Sequence, residues 1–328
     1  MPEAMIKVES LKKNYRQVEA LKSISFEVRK GTVFGLIGRN GAGKTTTMNI
    51  IAGLLRFDEG KIYLKGMDLL KEKAALKKII GYLPETPAFY DYMNAYEYLS
   101  FIGGILEVDL KAMPGKIEEL RKMAHLTKKQ ASRRISGYSR GMKQRLALAT
   151  AFMERPEILL LDEPASALDP EGRLEMLELI EDLKSEDVTI FLSTHILNDA
   201  ERVCDRICII DEGKILINKE LEELKKEYIQ PIFDIEFEKD PAVQENALKK
   251  IEWIWEVKTC GKMLSIYPKD METARKNMLG AIIEVKGDNE VLSFNIRKST
   301  LEDIFIRMVN QNNGNGCKKG MSSRYADI

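Results

Sequence analysis

A long apolar run is what this 328-residue sequence lacks first. No stretch approaches the roughly 18 to 20 consecutive apolar residues that a membrane-spanning helix needs. Met1 to Ser10 alternates polar and apolar residues where a secretory signal would carry an apolar core. The expectation is a chain that neither spans a membrane nor leaves the cell by that route. An excess of either charge is missing too: 51 Lys and Arg stand against 51 Asp and Glu. That balance leaves no basic footprint for DNA or RNA, so nucleic acid is excluded as the expected partner. Thiols and imidazoles are scarce. Four cysteines (Cys204, Cys208, Cys260, Cys317) and two histidines (His125, His195) form neither a disulfide framework nor a zinc quartet. Cys204 and Cys208 read as packing residues. What is plentiful is hydrophobic residues, at 44%, enough at this length for two domains with cores of their own.

Against that background one stretch organises the chain. Gly38-Arg39-Asn40-Gly41-Ala42-Gly43-Lys44-Thr45, followed by Thr46, fits G-x-x-x-x-G-K-[ST], the spacing of a phosphate-binding loop. Thr32 to Ile37 ahead of it is apolar and β-leaning, and Thr45 to Leu55 behind it reads as a helix, so the motif has its strand-loop-helix context. The glycines let backbone N–H groups curl around the β- and γ-phosphates, and the helix N-terminus adds its positive end. Lys44 neutralises phosphate charge and the Thr45 hydroxyl can ligate Mg²⁺. Nucleotide binding is the expectation.

Before the loop, Ile6 to Glu9 and Ile24 to Val28 alternate with period two and predict an antiparallel pair of half-exposed strands. Tyr15, in the link between them, either stacks on a nucleotide base or simply packs. After it, Lys61 to Leu64 and Ile79 to Leu83 read as strands. From Tyr90 to about Glu154 the pattern turns helical, with interruptions expected at Gly103-Gly104 and Pro114-Gly115. The last helix of this insertion begins near Gly141 and stops before Pro156. The turn ahead of it, Ser136 to Gly141, is either a plain helix cap or a second anion site. Ile158 to Leu161 predicts a buried parallel strand ending in Asp162-Glu163-Pro164. Two acids at the C-terminal edge of such a strand face the phosphates in nucleotide-binding α/β sheets. There Asp162 suits Mg²⁺ and Glu163 suits a water-activating base. Val188 to Ser193 reads as another buried strand delivering His195 to the same edge as a γ-phosphate contact.

The loop at Gly38 to Thr45, the turn at Tyr138 to Met142, Leu161-Asp162-Glu163, Ser166 to Asp169 and Ser193-Thr194-His195 together resemble, in order, the motifs of ABC transporter ATPase subunits, over about residues 5 to 217. The resemblance implies an α/β fold: a P-loop NTPase core with an antiparallel β subdomain and a helical insertion, about 88–154, within an ATP-binding domain at 1–218. It implies a Mg²⁺-dependent ATPase that dimerises and energises an integral membrane permease from the cytoplasmic face. Tyr15 would stack on adenine. Ser139 and Gly141 would hold the γ-phosphate of ATP bound to a second subunit, and Asp169 would communicate across the dimer. Two positions depart from the family pattern. Where the signature is often LSGGQ, this chain has Tyr138-Ser139-Arg140-Gly141-Met142, keeping the serine and second glycine but not the glutamine. Where the family carries a glutamine after the strand near Tyr82, this chain has Glu85, which cannot donate an amide hydrogen bond. Phe89, Tyr90, Tyr92, Tyr96 and Tyr98 cluster beyond it and either dock cytoplasmic loops of the permease or pack inside the insertion. An ABC-type ATPase working on ribosomes or DNA is disfavoured by the single phosphate loop and the balanced charge. A silent regulatory module is disfavoured by the presence of Glu163.

Past Asn218 the composition shifts. Leu221 to Lys226 reads as a charged helix, and strands are expected at Ile232 to Phe237, Ile254 to Val257, Met263 to Tyr267 and Val291 to Ile296. Helices near Ala247 to Glu252 and Met271 to Gly280 are interleaved with them, so 219–310 reads as a small α+β domain, ferredoxin-like in order. Ser299-Thr300-Leu301-Glu302 fits a capping box opening a last helix to about Val309, and the polar tail 311–328 reads as disordered. This domain resembles the C-terminal extension of ATPases that serve drug, antibiotic or peptide exporters.

Overall fold

The computed structural model describes residues 4–16, 18–228, 231–298 and 301. The chain divides into two compact units, Met1–Leu221 and Glu222–Ile328. In the first, β1 (Ala4–Tyr15) and β2 (Val18–Arg29) form a long antiparallel hairpin, and β3 (Val33–Ile37) leads through the glycine loop into α1 (Lys44–Ile51). Next, β4 (Glu59–Leu64) and β5 (Met67–Asp68) complete a four-stranded sheet in the order β2-β1-β4-β5. A short helix, α2 (Lys73–Ile79), then precedes β6 (Ile80–Leu83).

The helical insertion follows as α3 (Ala95–Ile105), α4 (Met113–Met123), α5 (Lys128–Ala131) and α6 (Arg140–Ala151). Two expected interruptions prove to be something else. Gly103 does not end α3: a Cβ there would lie 2.5 Å from the Met113 thioether, so the glycine is a point of close helix packing. Pro114 sits in the first turn of α4, where its missing N–H leaves no helical hydrogen bond unmade. Of the clustered aromatics, Phe89, Tyr96 and Tyr98 pack into the insertion's own core, whereas Tyr90 and Tyr92 are 47% and 66% exposed. Tyr90 meets Phe101 edge-on at 5.3 Å.

The chain then runs through β7 (Ile158–Asp162), α7 (Pro170–Ser185), β8 (Thr189–Thr194), α8 (Leu197–Val203), β9 (Arg206–Asp211) and β10 (Lys214–Glu220). The second sheet has the order β10-β9-β3-β8-β7-β6, parallel except for β10. Every residue of β3, β7 and β8 is buried, as strands covered on both faces must be. Phe26 of β2 stacks on Phe34 of β3 and Phe191 of β8 at centroid distances of 5.3 and 5.6 Å, fastening the antiparallel sheet onto the parallel one. The phosphate loop thus leaves a strand that is hydrogen-bonded on both sides, to β8 and β9.

The second unit contains α9 (Leu221–Tyr228, mostly in this unit), β11 (Pro231–Phe237), α10 (Ala242–Leu248), β12 (Ile254–Cys260), β13 (Met263–Pro268), α11 (Met271–Lys286) and β14 (Val291–Lys298). Its sheet runs β12-β13-β11-β14, all antiparallel, which is the ferredoxin-like order expected. Its core gathers Phe233, Ile235, Leu264, Ile266, Met278 and Ile282 among others. Two helix limits move. The first helix lies earlier than Ala247 to Glu252, where the Asp240 carboxylate accepts from Ala242 N at 3.0 Å and fixes its start. The second passes through Gly280, whose added Cβ would meet nothing, and ends at Gly287 with φ 54°. Apart from Leu301, the expected last helix and the tail lie outside the described residues.

Candidate nucleotide site

The loop from Gly38 to Thr45 depends on its glycines in different ways. A Cβ on Gly38 would lie 2.3 Å from the Ile210 carbonyl oxygen, so β9 leaves room only for hydrogen. Gly43 has φ 111° and a Cβ there would meet Leu21 Cδ2 at 2.7 Å, while Gly41 has φ 83° in open space. These left-handed residues are ones a side chain would strain. The loop ends on α1, whose first turn carries no acidic residue to offset the positive end of its dipole.

Lys44 is 5% exposed and folds back over its own loop. Its Nζ donates to the carbonyl oxygens of Gly38 at 2.8 Å and Arg39 at 3.3 Å. It also lies 3.1 Å from Glu163 Oε1, an ion pair without hydrogen-bond alignment. The other Glu163 oxygen, Oε2, pairs with His195 Nδ1 at 2.8 Å. The backbone N–H of Glu163 donates to the Ser193 carbonyl and hydroxyl, each at 3.1 Å, and its φ of 48° is a strained value for a side-chain-bearing residue. Burial is the largest single influence on the Glu163 carboxyl and pushes its pKa up. The His195 hydrogen bond and the Lys44 charge together outweigh it, so the group lies below the usual glutamate value. The Glu163 hydrogen bond holds His195 above the ordinary imidazole value, against the opposing effect of its own burial.

Asp162, at the end of β7, is treated differently by its surroundings. Its Oδ1 accepts from the Ser193 hydroxyl and from Thr45 Oγ1 at 3.4 Å. Its Oδ2 is buried with no hydrogen-bond partner. Burial pushes the carboxyl up, and the two hydroxyls only partly pull it back. Among the described residues no three His, Cys, Asp or Glu side chains gather as a metal cage.

One cleft of about 310 Å³ is lined by Asn40, Gly41, Gly43, Lys44, Thr45, Thr46, Glu85, Glu163 and His195, together with Ala20 and Ser166. The expected loop, base and histidine are therefore brought together on one edge of the parallel sheet. Tyr15, Ser139 and Gly141 are not among the lining residues. Tyr15 is 45% exposed at the hairpin end, with Lys13 Nζ 5.4 Å from its ring centre. Ser139 caps α6 by accepting from Met142 N at 3.2 Å. Gly141 lies beside Arg145 and Gly172, where a Cβ would make only ordinary contacts, 3.6 Å from Arg145 Nη1 and 3.7 Å from the Gly172 Cα.

Sequence reasoning missed three supporting contacts. Ser193 sits opposite Asp162 in the β7–β8 register, and its place at the end of a buried strand was the available signal. Tyr82 on β6 donates its hydroxyl to Asn49 Oδ1 of α1 at 3.0 Å, and burial, reinforced by Asp162, pushes the phenol up to about 12. Arg173 of α7 pairs with buried Asp199 of α8 at 2.6 Å, which nothing in the linear pattern announced.

Comparison with known proteins accords with this geometry. The family model described as ABC transporter matches residues 21–166, and that of the ATP-binding protein DrrA1-3-like C-terminal domain matches residues 220–309. The chain is 38% identical over 305 residues to YxlF of Bacillus subtilis, an uncharacterised ABC transporter ATP-binding protein, covering 93% of this chain and 99% of that one. It is 33% identical over 309 residues to the bacitracin transport ATP-binding protein BcrA of Bacillus licheniformis, covering 93% and 97%. Among solved structures it resembles a bacterial ABC transporter cassette determined as a dimer, at TM-score 0.61 and 26% identity over 66% of this chain and 99% of that one. The chain accordingly belongs to the ABC transporter family as one of its ATP-binding subunits, an ATPase coupled to transport.

Proposed function

We propose that two such subunits close around ATP, each contributing the cleft built on Lys44 to one nucleotide and the turn at Ser139 and Gly141 to the other. The closed pair drives export through a separate integral membrane permease from the cytoplasmic side. The observation that carries this reading is the shared grip on Glu163: Lys44 holds one of its oxygens and His195 the other, at the mouth of the phosphate loop. A triphosphate arriving at the loop competes for the Lys44 ammonium. Its departure leaves Glu163 Oε1 free to accept from water, while His195 keeps the carboxylate oriented. Lys44 and the loop N–H groups stabilise charge on the γ-phosphoryl group as the bond to the leaving oxygen breaks.

Mg²⁺ fits the same edge. The unpartnered Asp162 Oδ2 and the nearby Thr45 hydroxyl would hold the cation. When bound it would supply positive charge that offsets the negative charge of the triphosphate. The exposed position of Ser139 at a helix N-terminus, outside its own cleft, supports its service to a neighbour's nucleotide. Among the described residues no helix is long and apolar enough to cross a membrane. The export direction rests on the likeness to BcrA and on the DrrA-like second unit.

Light scattering of purified variants with Mg²⁺-ATP tests the reading. Glu163→Gln keeps the size of the side chain but removes the base, so it should bind ATP, accumulate as a dimer and fail to turn over. Lys44→Ala should stay monomeric and inactive. A Glu163→Gln variant that hydrolyses ATP at the unmodified rate refutes the base assignment, and an inactive one that never dimerises refutes the shared site.

A further inference from the structure

We propose that Glu85 makes this cleft selective for a nucleotide that carries a divalent cation, by repelling a bare triphosphate and attracting the cation that comes with a loaded one. The inference rests on the nucleotide reading above. It starts from an inventory of charge. Of the carboxylates at this edge, Glu163 is neutralised by Lys44 at 3.1 Å and His195 at 2.8 Å. Asp162 receives only hydroxyls, from Ser193 and Thr45, and keeps one buried oxygen without any partner. Glu85 faces the same cleft as Lys44, Thr45, Glu163 and His195.

Neither an ion pair nor a hydrogen bond ties Glu85 to another described residue, and its backbone lies between Pro84 and Pro87, which limit how far it can retreat. Two carboxylates without a counter-cation therefore look onto a loop built for four negative charges. An uncharged amide at position 85 would be indifferent to this. A carboxylate is not: it opposes the triphosphate alone and, as an oxygen ligand or a near neighbour, favours the cation.

The test is equilibrium binding by calorimetry on the full chain, with ATP in excess EDTA and with ATP in millimolar Mg²⁺. The readout is the ratio of the two dissociation constants. Replacing Glu85 with Gln should tighten metal-free ATP by roughly three- to tenfold, the effect of one charge at an exposed, water-screened site, and should leave Mg²⁺-ATP no tighter, so the ratio collapses. Glu85→Asp, which keeps the charge, should retain the unmodified ratio and controls for disturbance of the turn. An equal change in both conditions, or none in either, overturns the inference and leaves the nucleotide reading standing. Failure of the unsubstituted chain to bind ATP under either condition overturns both.

Discussion

Removing Arg173 should harm this protein more than removing the aspartate it pairs with. Arg173 lies four residues into α7 from Asp169, its N-cap, and Asp199 lies four residues past His195 on α8. The Arg173 Nε and Nη2 both reach Asp199 Oδ1 at 2.6 Å, while Asp199 Oδ2 has no hydrogen-bond partner. The pair is lopsided: the aspartate side chain is 4% exposed and the arginine 33%. Arg173→Met strands a buried carboxylate with both oxygens unpaired, at a cost of about 3 kcal/mol or more. Asp199→Asn leaves a guanidinium that can swing into water and a neutral amide behind it, for about 1 kcal/mol. Replacing both, as Arg173→Met with Asp199→Leu, should return to within about 1 kcal/mol of the unmodified chain, because desolvation of the carboxylate is removed together with its partner. In a unit of this size 3 kcal/mol is a shift of about 6 to 12 °C in Tm. Both tryptophans, Trp253 and Trp255, lie in the second unit. The loss should therefore appear in far-UV circular dichroism and leave the tryptophan fluorescence transition in place. The pH dependence has a definite sign. Burial raises Asp199 and Arg173 only partly offsets it, so this group favours the folded state below its unfolded value of 3.8 and loses that contribution as pH rises through its raised value. The Arg173→Met deficit should shrink on acidification, since the stranded carboxylate can take a proton. Equal losses from the two single variants, or a double variant as unstable as Arg173→Met, would refute the reasoning.

Three further outcomes are expected. With only two histidines in the chain, ring-proton NMR should show His195 titrating above 6.5 and falling when Glu163 is replaced by Gln; an unmoved midpoint would mean the pairing does not exist in solution. Because a raised histidine stabilises the fold fully below 6.5 and a lowered glutamate does so fully above 4.5, the pair should support the first unit most between pH 4.5 and 6.5, with unfolding midpoints dropping as pH falls toward the lowered Glu163 value or rises toward the raised His195 value. Changing exposed Tyr90 and Tyr92 to Ser should leave the melting curve within about 0.5 kcal/mol and abolish co-sedimentation with permease-containing membranes, whereas retained co-sedimentation would place the docking surface elsewhere.

How much of this was legible follows from how local each feature is. The phosphate loop is written in consecutive residues flanked by the strand and helix it needs, so spacing and local context together were enough to expect it, even though the contacts that require Gly38 and Gly43 come from distant Ile210 and Leu21. Strands buried on both faces, such as Ile158–Asp162 and Thr189–Thr194, were legible as short apolar runs for the same reason. The hairpin was visible only at its apolar ends. Register shifts between Val8 and Leu11, with Ser10 at φ 48° and Ser23 at φ 63°, break the period-two pattern that would have extended it through Tyr15. The helix at Lys73–Ile79 buries Leu76 alone, so it left no amphipathic signal at all. Gly103 was read as a break because a glycine's packing partner is invisible in sequence, and here the partner is Met113, on another helix.

The same distinction governs the site. Asp162, Glu163 and His195 could be placed on one sheet edge because each follows a recognisable strand, but which cation neutralises which carboxylate is a matter of contacts between distant residues, 32 apart for His195 and over a hundred for Lys44. Lys44 reaching Glu163, and Ser193 reaching Asp162, are set by the side-by-side order of β3, β8 and β7, which no linear pattern encodes. That order is also what gives the two adjacent acids opposite characters. Asp162 points to hydroxyls and is pushed up by burial, while Glu163, one residue on, turns through a left-handed backbone to meet Lys44 and His195 and is held down. Were Glu163 in an extended conformation, the alternation of a strand would send its side chain to the opposite face from Asp162. The strained φ is thus the local feature on which the pairing with Lys44 and His195 depends.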